Sequence, residues 1–477
     1  MFAAMRRPYN IYKGSKYMYQ IHFDQKQHIH FIGIGGISMS GLADILLSRG
    51  FHVSGSDMKE SPLTRHLEEK GVRIFYGHRA ENLLPETEAV VYTAAIHPDN
   101  PEYQEAVQRN IPMLTRAELL GQIMLNYETP IAVSGTHGKT TTTSMLSHIL
   151  LRAETDPTIS VGGILPAIGG NIRVGHTGMF ITEACEYTNS FLSFFPKISI
   201  ILNMDADHLD FFKDIDDIRR SFRRFAELIP EDGLLVINAD TPEYRMITEG
   251  LPCRILTYSL KGNADFTASD IMYDKYGRPS FNVYKNGRKA GSFGLNVPGE
   301  HNVSNALAVI AVSDHLGIDT ETVIRGLLDF GGTDRRFQLK GEIGGVTVID
   351  DYAHHPTEIK ATLSAAKSYP HQKIWCVFQP HTYTRTSALL DEFAEALSLA
   401  DHVVLADIYA AREQNTIGIS SEDLQKKIIP LGTPCEYFQT FDEIENYLLT
   451  SCESGDLLIT MGAGDIVNVG EHILGIS

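Results

Sequence analysis

The chain has 477 residues, of which 43% are hydrophobic and 21% charged, and its formal net charge is −18. At roughly 150 residues per domain, this length predicts about three domains, each able to bury its own core. Such an acidic protein is expected to bind neither nucleic acid nor an anionic membrane, because both would repel it. The five cysteines form no CxxC pair, which favours a reducing, cytoplasmic setting over a disulfide framework or a zinc ribbon.

The amino-terminal part predicts a nucleotide-binding fold. Residues 1–20 lack the apolar segment of a signal peptide and are predicted to be an extension. A strand predicted at His28–Ile32 leads into Gly33–Ser38, which is similar to the GxGxxG loop of dinucleotide-binding proteins. Asp57 ends the next predicted strand, where such folds place an acid beside a ribose. The pattern favours a nucleotide, with NAD as one candidate, over a tight turn without a ligand.

A second strand-loop-helix unit indicates a site for ATP. The strand Pro130–Val133 precedes Gly135–Thr140, which reads Gly-Thr-His-Gly-Lys-Thr, and a helix follows from Thr141. Glycines allow backbone N–H groups to close around phosphate oxygens, and the helix N-terminus adds partial positive charge. The pattern predicts that Lys139 contacts the β- and γ-phosphates and that Thr140 binds Mg²⁺. The first glycine stands two residues later than in the usual phosphate loop, so the alternative is a glycine-rich turn with a solvated lysine.

Candidate metal ligands follow two further predicted strands. Glu183 and Glu186 come just after the strand Met179–Thr182, and His208 follows the strand Ile198–Leu202. Because the carboxyl ends of parallel strands meet at one edge of a sheet, these side chains are predicted to face the ligand crevice. A carboxylate and a neutral imidazole there are suited to hold a metal between the nucleotide and its acceptor. The alternative is a solvated glutamate and a histidine that caps a turn.

Three strand-loop-helix units lie about 100 or more residues apart, the last of them beginning with the strand Asp456–Thr460. They predict three α/β domains with mainly parallel sheets. Hairpins are predicted at 262–296, and a helix starting near Asn305 and another ending at Phe330 close the middle domain. The predicted domains are a Rossmann-like domain over 1–125, a central P-loop ATPase-like α/β domain with added β-hairpins over 126–332, and a Rossmann-like carboxyl-terminal domain over 333–477.

Seven motifs stand in order along the chain: His30–Ala43, Ser134–Thr141, Pro298–Leu307, Arg335–Gln338, Asp350–Glu358, Gln379–Arg385 and Asp407–Glu413. Together they resemble the motifs of the Mur ligases of peptidoglycan synthesis, in particular the members that join L-alanine to UDP-N-acetylmuramate. The resemblance spans nearly the whole chain from about His22. Seven motifs in the family's order are far more specific than any one of them alone.

The resemblance implies that the first domain binds the UDP part of the sugar nucleotide instead of NAD. The residues expected at that site are Gly35, Gly36, Ile37, Ser38, Ser56 and Asp57. The resemblance places ATP in the central domain, with His301 at the adenine end. The residues expected to bind ATP are Gly135, Thr136, His137, Gly138, Lys139, Thr140, Thr141, Asn302, Asn305, Arg336 and Asp351. The resemblance also assigns Mg²⁺ to Thr140, Glu183 and His208.

The chemistry that the resemblance implies begins when ATP converts the muramoyl carboxylate into an acyl phosphate, which the amine of L-alanine then attacks. The residues expected to shape the acyl and amino-acid site are Tyr352, His354, His381 and Arg385. The expected catalytic residues are Lys139, His208, His354 and Arg385. Either His354 or His381 is suited to act as the base, and the choice between them stays open. The protein is expected to be a monomer or a weak homodimer.

Two other functions compete with this one. The nearest is the recycling ligase that attaches a whole tripeptide to the same UDP sugar. It usually lacks the Gly-Gly-Ile-x-Met-Ser pattern found here at 35–40, and it tends to have Phe at the position of Tyr352. A dinucleotide-dependent oxidoreductase would account for Gly33–Asp57, but it leaves Lys139 and the later motifs unexplained.

Overall fold

The computed structural model describes residues 19–476 except 94, 210 and 412. Most of the predicted amino-terminal extension therefore lies outside the described residues. The chain divides into two compact units, Met1–Asn126 and Tyr127–Ser477. The described residues form three sheets, one in the first unit and two in the second. No helix among these residues is long and apolar enough to cross a membrane.

The first unit is a parallel α/β sheet flanked by helices. Its strands are β1 His28–Ile32, β2 His52–Asp57, β3 Arg73–Tyr76, β4 Ala89–Tyr92 and β5 Met113–Thr115. Its helices are α1 Ile37–Ser48, α2 Pro62–Glu69, α3 Pro101–Gln108 and α4 Arg116–Met124, with a 3₁₀ turn at Ala80–Asn82. The sheet order is β3-β2-β1-β4-β5, with parallel pairing throughout. This is the Rossmann-like arrangement that the sequence predicts, with the glycine-rich turn at the carboxyl end of β1.

The middle domain holds the longest sheet, in the order β15-β14-β13-β12-β11-β10-β6-β9-β7-β8. Its strands are β6 Thr129–Ser134, β7 Thr158–Leu165, β8 Gly170–Arg173, β9 Met179–Ala184, β10 Ile198–Ile201, β11 Leu234–Asn238, β12 Arg254–Ser259, β13 Phe266–Tyr273, β14 Pro279–Lys285 and β15 Arg288–Gly294. The strands from β13 to β7 pair in parallel, while β14, β15 and β8 join as antiparallel edges. The hairpins predicted at 262–296 are therefore confirmed as β13–β15.

Helices cover this sheet and complete its core. They are α5 Lys139–Arg152, α6 Ile215–Ala226, α7 Tyr244–Thr248, α8 Glu300–His315 and α9 Thr320–Asp329, with 3₁₀ segments at Pro166–Ile168 and Tyr187–Ser193. Met145, Ile149 and Val309 pack against Val133 and Ile200 of the sheet in one buried cluster. The helix predicted to begin near Asn305 begins five residues earlier, because Gly299, at φ +99°, ends the preceding turn and Glu300 opens the helix.

The carboxyl-terminal domain has the sheet order β16-β17-β21-β18-β19-β20, which is parallel except for the edge strand β16. Its strands are β16 Gln338–Ile343, β17 Val346–Asp351, β18 Ile374–Phe378, β19 His402–Leu405, β20 Cys435–Tyr437 and β21 Leu457–Met461. Its helices are α10 Pro356–Ala366, α11 Tyr383–Ala388, α12 Leu390–Leu397, α13 Ser421–Ile428, α14 Phe441–Ser451 and α15 Val467–Leu474, with a 3₁₀ turn at Ile429–Leu431. The three-domain α/β fold predicted from the sequence is confirmed.

Candidate active site

The phosphate loop joins β6 to α5 and has the backbone that its glycines permit. Gly138 is the residue before the helix and has φ +84°, a conformation that costs other L-residues roughly 1–2 kcal/mol. A Cβ on Gly138 would lie 2.9 Å from Oδ1 of Asn305, and one on Gly135 would lie 2.9 Å from Cβ of Leu202. The loop is therefore shaped closely by its surroundings, and only glycine fits at these positions.

The segment after β10 holds this loop from the side. The backbone N–H of His137 donates to Oδ1 of Asn203 (2.8 Å), and the Asn203 amide donates back to the His137 carbonyl (3.0 Å). The backbone N–H of Asp205 donates to the Thr136 hydroxyl (2.9 Å). These paired bonds fix the loop before any ligand arrives, which is what a preorganised phosphate site requires.

Lys139 lies inside the loop and is not a solvated side chain. Its ammonium donates to the carbonyls of Gly135 (2.5 Å) and Thr136 (3.0 Å) and pairs with Oε2 of Glu186 at 3.1 Å. The Glu186 side chain is only 3% exposed, so this ion pair is largely shielded from water. Burial lowers the pKa of Lys139, but the Glu186 carboxylate outweighs it and leaves the pKa above its usual range. Lys139 is therefore a permanent cation at the place where phosphate is expected.

Thr140 and Glu183 bring two oxygens together at the start of α5. The Thr140 hydroxyl donates to Oε2 of Glu183 at 3.1 Å, and the backbone N–H of Gly162 donates to the other oxygen at 2.5 Å. Among the described residues, no three His, Cys, Asp or Glu side chains form a group that could hold a metal by themselves. Two protein oxygens do fit Mg²⁺, which usually takes one or two carboxylates and completes its shell with waters and substrate phosphates.

His208 lies beside other partners. Its ring stacks on Tyr187 with centroids 4.5 Å apart, and its Nε2 lies 3.8 Å from Oδ2 of Asp207. Its backbone has φ +54°, the left-handed conformation, in which it turns the chain after the Asn203–Asp207 segment. His208 therefore contacts Tyr187 and Asp207, whereas Thr140 and Glu183 contact each other.

A cavity of about 430 Å³ opens next to the phosphate loop. Part of its lining comes from the carboxyl-terminal domain. The residues expected at the ATP site that line this cavity are His137, Gly138, Thr141, His301, Asn302, Asn305, Arg336 and Asp351. The Asn302 amide donates to the Pro298 carbonyl (2.8 Å), and the Asn305 amide donates to Oδ1 of Asn302 (3.1 Å). The structure thus brings together residues that are up to 214 positions apart in the chain.

Asp351 at the end of β17 closes this cavity from the carboxyl-terminal domain. Its two carboxylate oxygens accept hydrogen bonds from the backbone N–H groups of Phe337 (2.7 Å) and Ala353 (2.8 Å). Burial raises the pKa of Asp351 to about 6, although the neighbouring Arg336 guanidinium opposes the shift. Asp351 therefore fixes the shape of the turn after β17 as well as facing the cavity.

Tyr352, His354, His381 and Arg385 form a cluster in the carboxyl-terminal domain. The rings of His354 and His381 have centroids 5.8 Å apart, and those of Tyr352 and His354 are 5.5 Å apart. Nη1 of Arg385 lies 3.2 Å from Nδ1 of His381. Burial lowers the pKa of His354 to about 4 against the opposing Glu358 carboxylate, and burial beside His354 and Arg385 lowers the pKa of His381 to about 4. Both imidazoles are therefore neutral at pH 7.

Arg385 connects this cluster to the middle domain. Its Nε and Nη2 donate to Oδ1 of Asp207 at 3.1 and 3.0 Å. Both side chains are mostly buried, and burial raises the pKa of Asp207 while Arg385 lowers it well below its usual range. The segment Asn203–Asp207 thus contacts the phosphate loop at one end and the acyl-site cluster at the other.

No role is predicted from the sequence for Asp205, Asp207 or Glu358, although Glu358 closes the Asp350–Glu358 motif. Asp205 and Glu358 lie on either side of His137, with carboxylate-to-ring distances of 3.2 Å each. Burial lowers the pKa of His137, but contacts with the two carboxylates raise it to about 9. In the sequence, only the position of Glu358, four residues after His354 at a helix start, indicates that these two side chains lie close together.

In the first unit, the predicted nucleotide loop is held by Asp57, whose Oδ2 accepts from the Gly35 N–H at 2.8 Å. Ile37 is 57% exposed at the start of α1, and the Ser38 hydroxyl accepts from Arg116 at 3.1 Å. Ser56, also expected at this site, has a different environment. Its side chain is fully buried and donates to Oε2 of Glu102 at 2.8 Å.

Glu102, which the sequence did not single out, is the centre of that buried network. Besides Ser56, its oxygens accept from His30 Nε2 (2.9 Å) and the Asn82 amide (2.8 Å), and His78 Nδ1 lies 3.1 Å away. Burial raises the pKa of Glu102, but these hydrogen bonds outweigh burial and leave it lowered. The network joins β1, β2 and α3.

The fold and the site define a phosphate-loop nucleotide-binding enzyme built from successive α/β domains. Family models match in the same order: the Mur ligase family, catalytic domain, at residues 28–128; the Mur ligase middle domain at 133–313; and the Mur ligase, glutamate ligase domain, at 335–464. The chain belongs to the Mur ligase family.

Relatives and solved structures agree with this assignment. UDP-N-acetylmuramate–L-alanine ligases from Agathobacter rectalis and Lachnospira eligens are each 59% identical to the chain, covering 96% of it and 100% of the relative. The crystal structure of the Thermotoga maritima UDP-N-acetylmuramate-alanine ligase superposes with a TM-score of 0.78 at 32% identity, covering 94% of this chain and 98% of that one. A murein peptide ligase from Psychrobacter arcticus superposes with a TM-score of 0.70 at 27% identity over 94% and 98% of the two chains.

Proposed function

We propose that the protein is an ATP-dependent ligase that joins L-alanine to the carboxylate of UDP-N-acetylmuramate, releasing ADP and phosphate, in peptidoglycan precursor synthesis. The observation that carries this proposal is the double contact of Asn203–Asp207. This segment holds the phosphate loop through Asn203 and the acyl-site arginine through Asp207. A phosphoryl donor and an amine acceptor bound at its two ends would therefore meet in one site.

The proposed reaction needs two steps because a carboxylate is a poor electrophile. In the first, a carboxylate oxygen attacks the γ-phosphorus, the bond to the β-phosphate oxygen breaks, and ADP leaves. In the second, the neutral amine attacks the acyl carbon and the phosphate leaves from a tetrahedral intermediate. Bringing three substrates together in this way is chiefly a matter of proximity and orientation.

Charge stabilisation is the main task of the side chains. Lys139 is fixed within the phosphate loop, and Arg385 is fixed on the acyl-site side by Asp207. Both cations are preorganised, so they need no reorganisation when charge develops on the transferred phosphoryl group. His354 and His381, both neutral at pH 7, are the two groups proposed to accept the ammonium proton.

We also propose Mg²⁺ as the metal, held by Thr140, Glu183 and His208. When bound, Mg²⁺ would neutralise the phosphate oxygens that face Lys139. The boundaries proposed for the three domains are residues 125 and 332, with the UDP part bound by the loop Gly35–Ser38 and Asp57. The setting proposed is the cytoplasm, and the oligomeric state proposed is a monomer or weak homodimer.

The test is substrate-dependent turnover. Purified protein is expected to release ADP and phosphate only when UDP-N-acetylmuramate, L-alanine and Mg²⁺ are all present. The control replaces L-alanine with the tripeptide L-Ala-D-Glu-diaminopimelate. Equal or faster turnover with the tripeptide would assign the protein to the recycling ligases. Hydride transfer to NAD in place of ADP release would instead support an oxidoreductase.

A further inference from the structure

Glu358 lies where three functional parts of the second unit meet. It is in the first turn of α10, and its side chain is 12% exposed. Its Oε2 accepts from the backbone N–H of His354 at 3.1 Å and lies 3.2 Å from Nδ1 of that ring. Its Oε1 lies 3.2 Å from Nδ1 of His137 in the phosphate loop and 3.8 Å from Nη1 of Arg336. One carboxylate therefore contacts the phosphate loop, the nucleotide cavity and a candidate base.

We propose that Glu358 is a positioning residue that aligns the phosphate loop of the middle domain with His354 of the carboxyl-terminal domain for acyl transfer. The proposal rests on the proposed ligase function and deepens it. Glu358 acts through His137 and His354, which are proposed to contact the substrates, while its own contacts are to protein groups.

A simpler role for Glu358 would be to stabilise its own helix. An acidic residue in the first turn of a helix interacts favourably with the helix dipole and can accept a hydrogen bond from the backbone before it. Oε2 alone satisfies that role through the His354 N–H. The other oxygen faces away from the helix toward His137 and Arg336, so helix stabilisation leaves half of the carboxylate unexplained.

His137 is the partner of Glu358 in the phosphate loop. Its ring lies between Asp205 of its own domain and Glu358 of the carboxyl-terminal domain, and only 12% of its side chain is exposed. The rings of His137 and His355 also lie 4.8 Å apart, next to the start of α10. The imidazolium held between the two carboxylates therefore sets the position of α10 against the phosphate loop, because a shift of either side would leave a buried charge without its partner.

The expected effect follows from geometry. A misplacement of about 1 Å between reacting groups can lower a rate about 100-fold. In Glu358→Gln one carboxylate oxygen becomes an NH₂ donor, which cannot accept from both His354 and His137. We expect kcat to fall about 10- to 100-fold, whereas KM for UDP-N-acetylmuramate stays within about twofold, since its nucleotide is proposed to bind in the first unit.

The experiment measures kcat and each KM for the parent, Glu358→Gln, His137→Gln and the double variant. If the two side chains act as one pair, the double variant loses no more activity than the more damaged single variant. Glu392→Gln is the matched control, because it removes the same charge from an exposed position of the same domain. It is expected to retain the parent values.

Folding is followed separately through Trp375, the only tryptophan of the chain, which is buried in the carboxyl-terminal domain. Should Glu358→Gln fail to fold, Glu358→Asp takes its place: it keeps the charge but withdraws the carboxylate from His137 by one methylene, and the same loss of kcat is expected. A folded variant with kcat within twofold of the parent, or losses at His137 and Glu358 that multiply independently, would overturn the proposal. A parent that makes no ADP with L-alanine and the UDP sugar would refute the proposed function instead.

Discussion

Removal of the Lys139 ammonium should affect activity and stability through different partners. The substitution Lys139→Met keeps much of the side-chain length but leaves Glu186 charged, 3% exposed and without its cation. Breaking one partner of a buried ion pair typically costs about 3–5 kcal/mol, which in a domain of roughly 200 residues lowers the melting temperature by roughly 6–20 °C. We therefore expect Lys139→Met to lose stability as well as turnover.

Addition of Glu186→Gln separates the two effects. In Lys139→Met/Glu186→Gln no buried charge is left unpaired, so the melting temperature should recover most of the loss. Turnover should stay at least about 100-fold below the parent, since a preorganised donor to the transferred phosphoryl group is still missing. The assays are thermal unfolding and ADP release on the same four proteins: the parent, each single variant and the double variant.

Two outcomes would refute this prediction. If Lys139→Met melts with the parent, the Lys139–Glu186 pair is not a buried ion pair in solution. If the double variant recovers turnover to within a few-fold of the parent, Lys139 does not contact the transferred phosphoryl group. The two results test the stability step and the catalytic step independently.

Three further changes test other parts of the site. Glu183→Gln should raise the Mg²⁺ concentration for half-maximal turnover at least about tenfold. The control is Glu231→Gln at an exposed position. If the Mg²⁺ concentration for half-maximal turnover is unchanged in Glu183→Gln, Glu183 does not bind the metal. Gly138→Ala forces a side chain into φ +84° and should lower the free energy of unfolding by about 1–2 kcal/mol while weakening ATP binding, and a neutral effect in urea unfolding and titration would contradict the loop geometry. The pKa of His137 is raised to about 9, so protonated His137 stabilises the fold fully below about pH 6.5, and this contribution is lost as pH rises through about 9. Between about pH 7 and 10 the urea midpoint of unfolding should therefore fall less in His137→Gln than in the parent. If the two proteins show the same fall with pH, the pKa of His137 is not raised.

The sequence was sufficient for the fold because its signals are local. The strand His28–Ile32 and the strand before Gly135 are buried apolar runs that end in glycine turns, and a single stretch of chain reveals each of them. The residues at which helices begin and end are harder to predict from the sequence. The helix predicted near Asn305 begins at Glu300, since polar residues of the Pro298–Leu307 motif look like a loop in the sequence but occupy the first helical turn.

Pairings between distant parts of the chain could not be predicted in the same way. Lys139 is predicted to contact phosphate, but nothing in the sequence indicates its ion pair with Glu186. Ser56 is predicted near a nucleoside, but nothing in the sequence indicates its hydrogen bond to Glu102, 46 residues later. The partner of Arg385 is Asp207, 178 residues earlier. Contacts at such separations depend on how whole sheets pack, and no periodicity in one segment encodes them.

These pairings account for how a chain with a net charge of −18 can bind anionic substrates. Each buried cation of the site has a carboxylate partner: Lys139 has Glu186, Arg385 has Asp207, and His137 has Asp205 and Glu358. Before substrates bind, the partners hold the cations in place and offset the cost of burying them. Incoming phosphate and carboxylate groups then meet cations that are already oriented. The entropy of ordering these cationic side chains is lost during folding, so little of it remains to be lost in the transition state. The cations that serve the anionic substrates are thus positioned by the acidic residues around them, and the overall negative charge of the chain does not oppose that arrangement.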